Sequence, residues 1–236
     1  MGFYKRFLNR RAIAAPEEKS SFDGVPEADL ERFLAVNRYG KFELTEAIRP
    51  SYDLKIVPSE GYRYDYWIDE DDWEEKIPVI VASVTRARLF AVFLDLLDSL
   101  GTPVVDAVLE TSHKSHAKHH VDHYRESIDL PVLKSILHEY EDLLCNDGCT
   151  GIAVLRPQNS VEIQFDEHKL LYVYADRFGP FEQILEEHRV WYRNKMQCIT
   201  GTEHIHSSSD TYQGTFGKLQ TRLGLDHETD ESQPMF

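Results

Sequence analysis

The stretch from residue 77 to residue 111 constrains this chain more than any other. Ile77, Val79 and Val81 alternate with Ile80, Ala82 and Val84, so both faces are apolar, the pattern of a strand buried on both sides. From residue 86 to residue 100 the period becomes helical. Leu89, Phe93, Leu96 and Leu100 run down one stripe, Phe90, Leu94 and Leu97 widen it, and Gly101 stands where it should end. A valine-rich strand follows from Val104 to Glu110. The 17-residue connection is long enough for a right-handed crossover. Strands at 77–85 and 103–111 are therefore expected to be parallel and near-adjacent, with the helix across one face. Phe93, Leu97, Val81 and Val108 are the expected heart of the core.

Further along, Leu133, Ile136, Leu137, Tyr140, Leu143 and Leu144 mark a second amphipathic helix, from about Pro131 to Cys145. Segments 151–155, 161–165 and 170–174, separated by turn residues, predict an antiparallel three-strand meander. Helices near 180–188 and 210–223 follow, the last with Asp210 as its N-cap. Upstream, Leu30, Phe33 and Leu34 predict a short helix. Alternation around Pro58-Ser59-Glu60-Gly61 predicts a β-hairpin of residues 52–57 and 62–67, with Tyr62, Tyr64 and Tyr66 along one face.

The fold class expected is α+β: a mixed sheet with a βαβ crossover and a meander, helices packed on the sheet. Residues 26–225 read as one domain, of which 26–76 is a helix-plus-hairpin extension. Residues 1–25 read as a basic tail and linker, and 226–236 as a disordered acidic tail.

Composition narrows the function. Hydrophobic residues make up 42% of the chain and charged residues 28%, which excludes disorder throughout. Three cysteines, Cys145, Cys149 and Cys198, are too few and too odd in number for a disulfide framework. Cys145 and Cys149 read as small packing residues at a helix end. With no secretory leader and no apolar run near the ~20 residues that span a bilayer, a soluble cytoplasmic protein is expected. Asp and Glu outnumber Lys and Arg by 41 to 26, a net charge of -15 that argues against nucleic acid as a partner. The exception is residues 1–11, where Lys5, Arg6, Arg10 and Arg11 accompany Phe3, Tyr4, Phe7 and Leu8 at helical spacing, a pattern that can contact a membrane surface. The acidic run at 69–75 fails the EF-hand pattern, because Glu74 and Ile80 fall where glycine and glutamate are needed.

Histidine is the chemically informative residue. Five of the 11 lie between His113 and His123, and on a helix His116 and His120 would share a face, a spacing that can bind zinc. The H-E-x-x-H glutamate is absent, since Ala117 stands in its place. Glu203, His204 and His206 form a second acid and histidine cluster. Asp166, Glu167 and His168, in a hairpin turn, form a third. No Gly-rich phosphate loop and no G-x-S-x-G elbow is present. Two functions follow. One is a non-catalytic module binding an as yet unidentified protein or small molecule, since no catalytic constellation is complete. The other is a hydrolase with zinc as cofactor, drawing its metal ligands from His113, His116, His120, His204 and His206, with Glu110 or Glu203 activating water.

Overall fold

The apolar run at 77–83 becomes the strand around which one side of the sheet is built. The structure, a computed structural model, describes residues 19–68, 76–113, 121–156 and 161–225. In chain order, helix α1 (Glu27–Leu34) precedes the short strands β1 (Arg38–Tyr39), β2 (Phe42–Glu43) and β3 (Ile48–Pro50). Strands β4 (Gly61–Ile68) and β5 (Lys76–Ser83) lead to helix α2 (Arg86–Asp98), then to β6 (Val104–Thr111) and β7 (Val121–Asp129). Helices α3 (Leu130–Glu139) and α4 (Glu141–Asn146) precede β8 (Thr150–Leu155), β9 (Glu162–Phe165) and β10 (Leu170–Tyr174). Helix α5 (Gly179–Glu187), strand β11 (His204–His206) and helix α6 (Asp210–Leu223) follow. No helix among the described residues is long and apolar enough to cross a membrane.

The architecture is α+β. Seven strands form one sheet in the order β4-β5-β10-β9-β8-β6-β7, and every neighbouring pair is antiparallel. The sheet is thus not mixed, and β5 and β6 are not neighbours, because β10, β9 and β8 lie between them. The physical reason is that a doubly apolar strand records burial and not the identity of its partners. Any central position satisfies β5, and it takes β4 and β10. Strands β8, β9 and β10 are close in sequence and pair in chain order, at little loop-closure cost.

Helices α2 to α6 cover one face. Their apolar stripes meet Ile80 and Ala82 of β5, Leu171 and Val173 of β10, Ile163 and Phe165 of β9, Ile152 and Val154 of β8, and the inward residues of β6 in one core. Phe93 and Leu97 are fully buried there, and Phe93 meets the Phe165 ring edge-on at 5.2 Å. Val81 is also buried, but points to the opposite face, where Ile77, Val79, Leu170, Met196 and Cys198 gather around it. Val108 is only half-buried.

Local expectations change as well. Residues 52–57 are not a strand: Leu54 has φ +50° and its N–H closes a turn on Ser51 O, so β4 takes its hairpin partner from β5. Of the three tyrosines, Tyr62 is buried while Tyr64 and Tyr66 are exposed. The helix expected from Pro131 to Cys145 breaks at Tyr140 into α3 and α4. Ser209, not Asp210, caps α6, accepting the Tyr212 N–H at 3.3 Å.

Strand β3 is placed by Arg49, whose side chain is 5% exposed. Its guanidinium donates to Leu34 O, Thr45 O and Ile48 O at 2.6–2.9 Å and to Glu46 Oε2 at 2.8 Å. This ties the irregular chain before β3 into a fixed frame, and β3 pairs antiparallel with β11. At the end of the expected linker, Phe22 packs against Phe33 and Tyr52.

Candidate metal centre

Antiparallel pairing decides which turns share an end of the sheet. Thr111, last in β6, pairs with Thr150, first in β8. Phe165, last in β9, pairs with Ile152 of β8 and Leu171 of β10, and Leu170 pairs with Ser83, last in β5. The residues after β6, before β8 and between β9 and β10 are therefore neighbours. Strand β11 is docked at the same end: Gly148 N–H donates to Ser207 O at 2.7 Å, and Ser207 N–H donates to Ala47 O at 2.8 Å. Gly148 has to be glycine, since a Cβ there would stand 2.4 Å from Ala47 O and 2.9 Å from Ser207 N.

Three imidazoles meet at this point. His204 and His206 are two apart in a strand, so their side chains leave on one face. His168 reaches them from the turn between β9 and β10, a turn closed by Lys169 N–H donating to Asp166 O at 3.0 Å. Ring centroids lie 5.0 Å apart for His168–His204, 4.8 Å for His168–His206 and 5.0 Å for His204–His206. One ring nitrogen of each lies within 4.8 Å of the other two. Zinc bonded at ~2.0–2.1 Å needs tetrahedral nitrogens ~3.3 Å apart, a spacing that falls inside that limit.

One edge of every ring is already held. His204 Nδ1 lies 2.7 Å from Thr202 O and His206 Nδ1 lies 2.5 Å from Gly148 O. A carbonyl oxygen can only accept, so both Nδ1 atoms carry the proton and each neutral ring keeps its lone pair on Nε2. His168 Nδ1 faces Asp166 Oδ2 at 2.8 Å, while Asp166 Oδ1 accepts the Leu170 N–H at 2.8 Å. Two carbonyls and a carboxylate behind three histidines is the outer arrangement that fixes tautomer and orientation in zinc sites.

The electrostatics sort the three rings. Burial pushes His204 and His206 below the ordinary imidazole value, and the neighbouring His168 adds to it. Burial also acts to lower His168, but the Asp166 charge and hydrogen bond outweigh it and the value is raised. Burial works to raise Asp166, yet His168 and the Leu170 N–H hold it below the usual carboxylate range. Lys169 is buried beside them at φ +61°, its ammonium donating to Thr150 O at 2.8 Å, and burial lowers its value.

The structure brings His204 and His206 together and adds His168, noted in the sequence only as one of a turn cluster. The signal for the pair was present as H-x-H, which shares a face in a strand but not in a helix. His113 stands elsewhere, beside Asp147 and Cys149. His116 and His120 lie outside the described residues, as do residues 69–75. His123 lies within strand β7. Glu110 lies against Gly151, its Oε2 3.2 Å from where a Cβ there would be. Glu203 turns away to Ser20 and Ser21, accepting from the Ser21 N–H at 2.8 Å and from both hydroxyls. Those bonds hold it below the usual carboxylate range. Glu167, adjacent to His168 in the turn, has an Oε2 that accepts the Ser112 hydroxyl at 2.8 Å. Comparison with protein-family profiles, with curated proteins and with solved structures gave no match.

Proposed function

We propose that this protein binds one zinc ion through His168, His204 and His206 and uses it in hydrolysis. The observation that carries the reading is a cluster of three rings with centroids 4.8–5.0 Å apart, each with its Nδ1 held by an acceptor. Three protein ligands leave one tetrahedral position for water, the coordination of catalytic rather than structural zinc. Bound there, zinc would lower the pKa of a coordinated water towards ~7. Glu167, next to His168 in the turn, is the candidate general base in place of Glu110 and Glu203.

A second reading, a non-catalytic module clamped by its metal, draws support from Glu167, whose Oε2 is already engaged by the Ser112 hydroxyl at 2.8 Å. The test is metal content of untagged, dialysed protein, followed by hydrolysis of activated ester and phosphoester substrates before and after chelation. The hydrolase reading expects a zinc equivalent that His204→Ala/His206→Ala loses, and turnover that returns when zinc is restored. Bound zinc with unchanged melting and zinc-independent or absent turnover would defeat it. A zinc content that the double variant leaves unaltered would defeat both readings.

A further inference from the structure

The turn that anchors His206 carries a second group of donors which the three-histidine reading does not use. Because Thr111 pairs with Thr150, the chain leaving β6 runs past the chain entering β8, and Ser112 N–H donates to Cys149 O at 3.0 Å. This sets His113 beside Asp147 and Cys149. His113 Nε2 lies 3.0 Å from Asp147 Oδ2, with side chains only 6% and 0% exposed. One donor atom from each of the three residues lies within 4.8 Å of the other two.

Two of the buried polar atoms here have no hydrogen-bond partner. His113 Nε2 lies against the carboxylate outside in-line hydrogen-bond geometry, and Asp147 Oδ1 is likewise without a well-formed hydrogen bond. Asp147 Oδ2 accepts the Thr150 hydroxyl at 2.5 Å, and the Ser208 hydroxyl stands beside the same carboxylate. Leaving buried polar atoms unpaired is costly. A ring nitrogen and a carboxylate oxygen 3.0 Å apart without an in-line proton have the spacing of two ligands on one cation. A cysteine nucleophile with a His–Asp pair fits less well. That arrangement needs thiol and carboxylate at opposite ring nitrogens. Here the nitrogen opposite the carboxylate is Nδ1, which lies 2.7 Å from Thr111 Oγ1.

We infer that His113, Asp147 and Cys149 form a second transition-metal site, suited to zinc by its mixed nitrogen, oxygen and sulfur donors. Its thiolate must form on binding, since burial holds the free Cys149 thiol above its ordinary value. The two sites share the turn at residues 147–149. Asp147 and Cys149 face one site, while the Gly148 carbonyl between them fixes His206 in the other.

Cobalt(II) separates the two sites, because a thiolate ligand gives a near-ultraviolet charge-transfer band and three imidazoles cannot. Reduced, untagged full-length protein titrated with cobalt should show that band and take up two equivalents. Cys149→Ser should abolish the band and one equivalent with the circular dichroism spectrum unchanged, and His113→Ala should do the same. Cys145→Ser and Cys198→Ser should leave the band in place. A missing band, or one that survives Cys149→Ser, overturns the second site and leaves the three-histidine site standing. A band that persists while His204→Ala/His206→Ala removes no metal supports this site and sinks the other.

Discussion

Replacing Asp166 with Asn tests whether the carboxylate behind His168 sets the ligand. The side chains are nearly isosteric and Asp166 is 4% exposed, so the backbone has no cause to move. Oδ1 holds the Leu170 N–H at 2.8 Å, which keeps the amide oxygen of Asn on that side and turns its NH2 towards His168 Nδ1. Two donors cannot face each other, so the imidazole proton moves to Nε2 and the lone pair leaves the metal side. Loss of an outer-shell acceptor of this kind weakens zinc ~10–100-fold, equivalent to ~1.4–2.7 kcal/mol. The variant also removes the negative charge that raises His168. The proton competing for that ring should then let go at lower pH, and the acid midpoint of metal binding should shift downward. The assay is competition with a chromophoric chelator across pH 5–8, alongside a chemical melt of the metal-free protein. Unchanged affinity and an unchanged midpoint in a folded Asp166→Asn protein would refute the tautomer argument.

Other outcomes follow from the same geometry. Gly148→Ala should lower stability by ~1–3 kcal/mol, as forced overpacking does, in urea unfolding, because its Cβ cannot coexist with Ala47 O at 2.4 Å. The stability of the metal-free protein should pass through a maximum near the unfolded histidine value, ~6.5. Raised His168 contributes stability that is complete below that value and lost as pH rises through its folded value. Lowered His204 and His206 make the folded state bind fewer protons than the unfolded one, so stability falls as pH drops below it. Urea melts of His204→Ala/His206→Ala between pH 6.5 and 5 should show a flatter acid limb, and an unchanged slope would count against the assignment. Phe93→Ala should cost ~3–5 kcal/mol as a core truncation, read by the same melts. His116→Ala/His120→Ala should leave zinc content as it was, read by elemental analysis, since the proposed ligands lie elsewhere.

Helices and most strands were legible because their patterns are local. The stripe from Leu89 to Leu97 and the alternation at 77–83 each report a buried face, and both became the elements they predicted. Strand β7 was not legible, because an edge strand exposed along most of its length carries no hydrophobic alternation, with Ile128 alone fully inside. Strand β11 was missed for a related reason: three residues pairing with β3 are too few to imprint a period.

By itself the sequence determined an acidic α+β chain with two apolar strands, several amphipathic helices and three separate groups of histidine and acid. Which strands pair was left open, because burial on both faces is equally satisfied by many neighbours, and only the tertiary structure set β10, β9 and β8 between β5 and β6. The same pairing chose the candidate site. His168 meets His204 and His206 because the turn after β9 and the docked strand β11 reach one end of the sheet. His113 is drawn to Asp147 and Cys149 by the register of β6 on β8. Metal ligation depends on distances of a few ångströms between residues far apart in the chain, and those distances come from packing that no local pattern encodes.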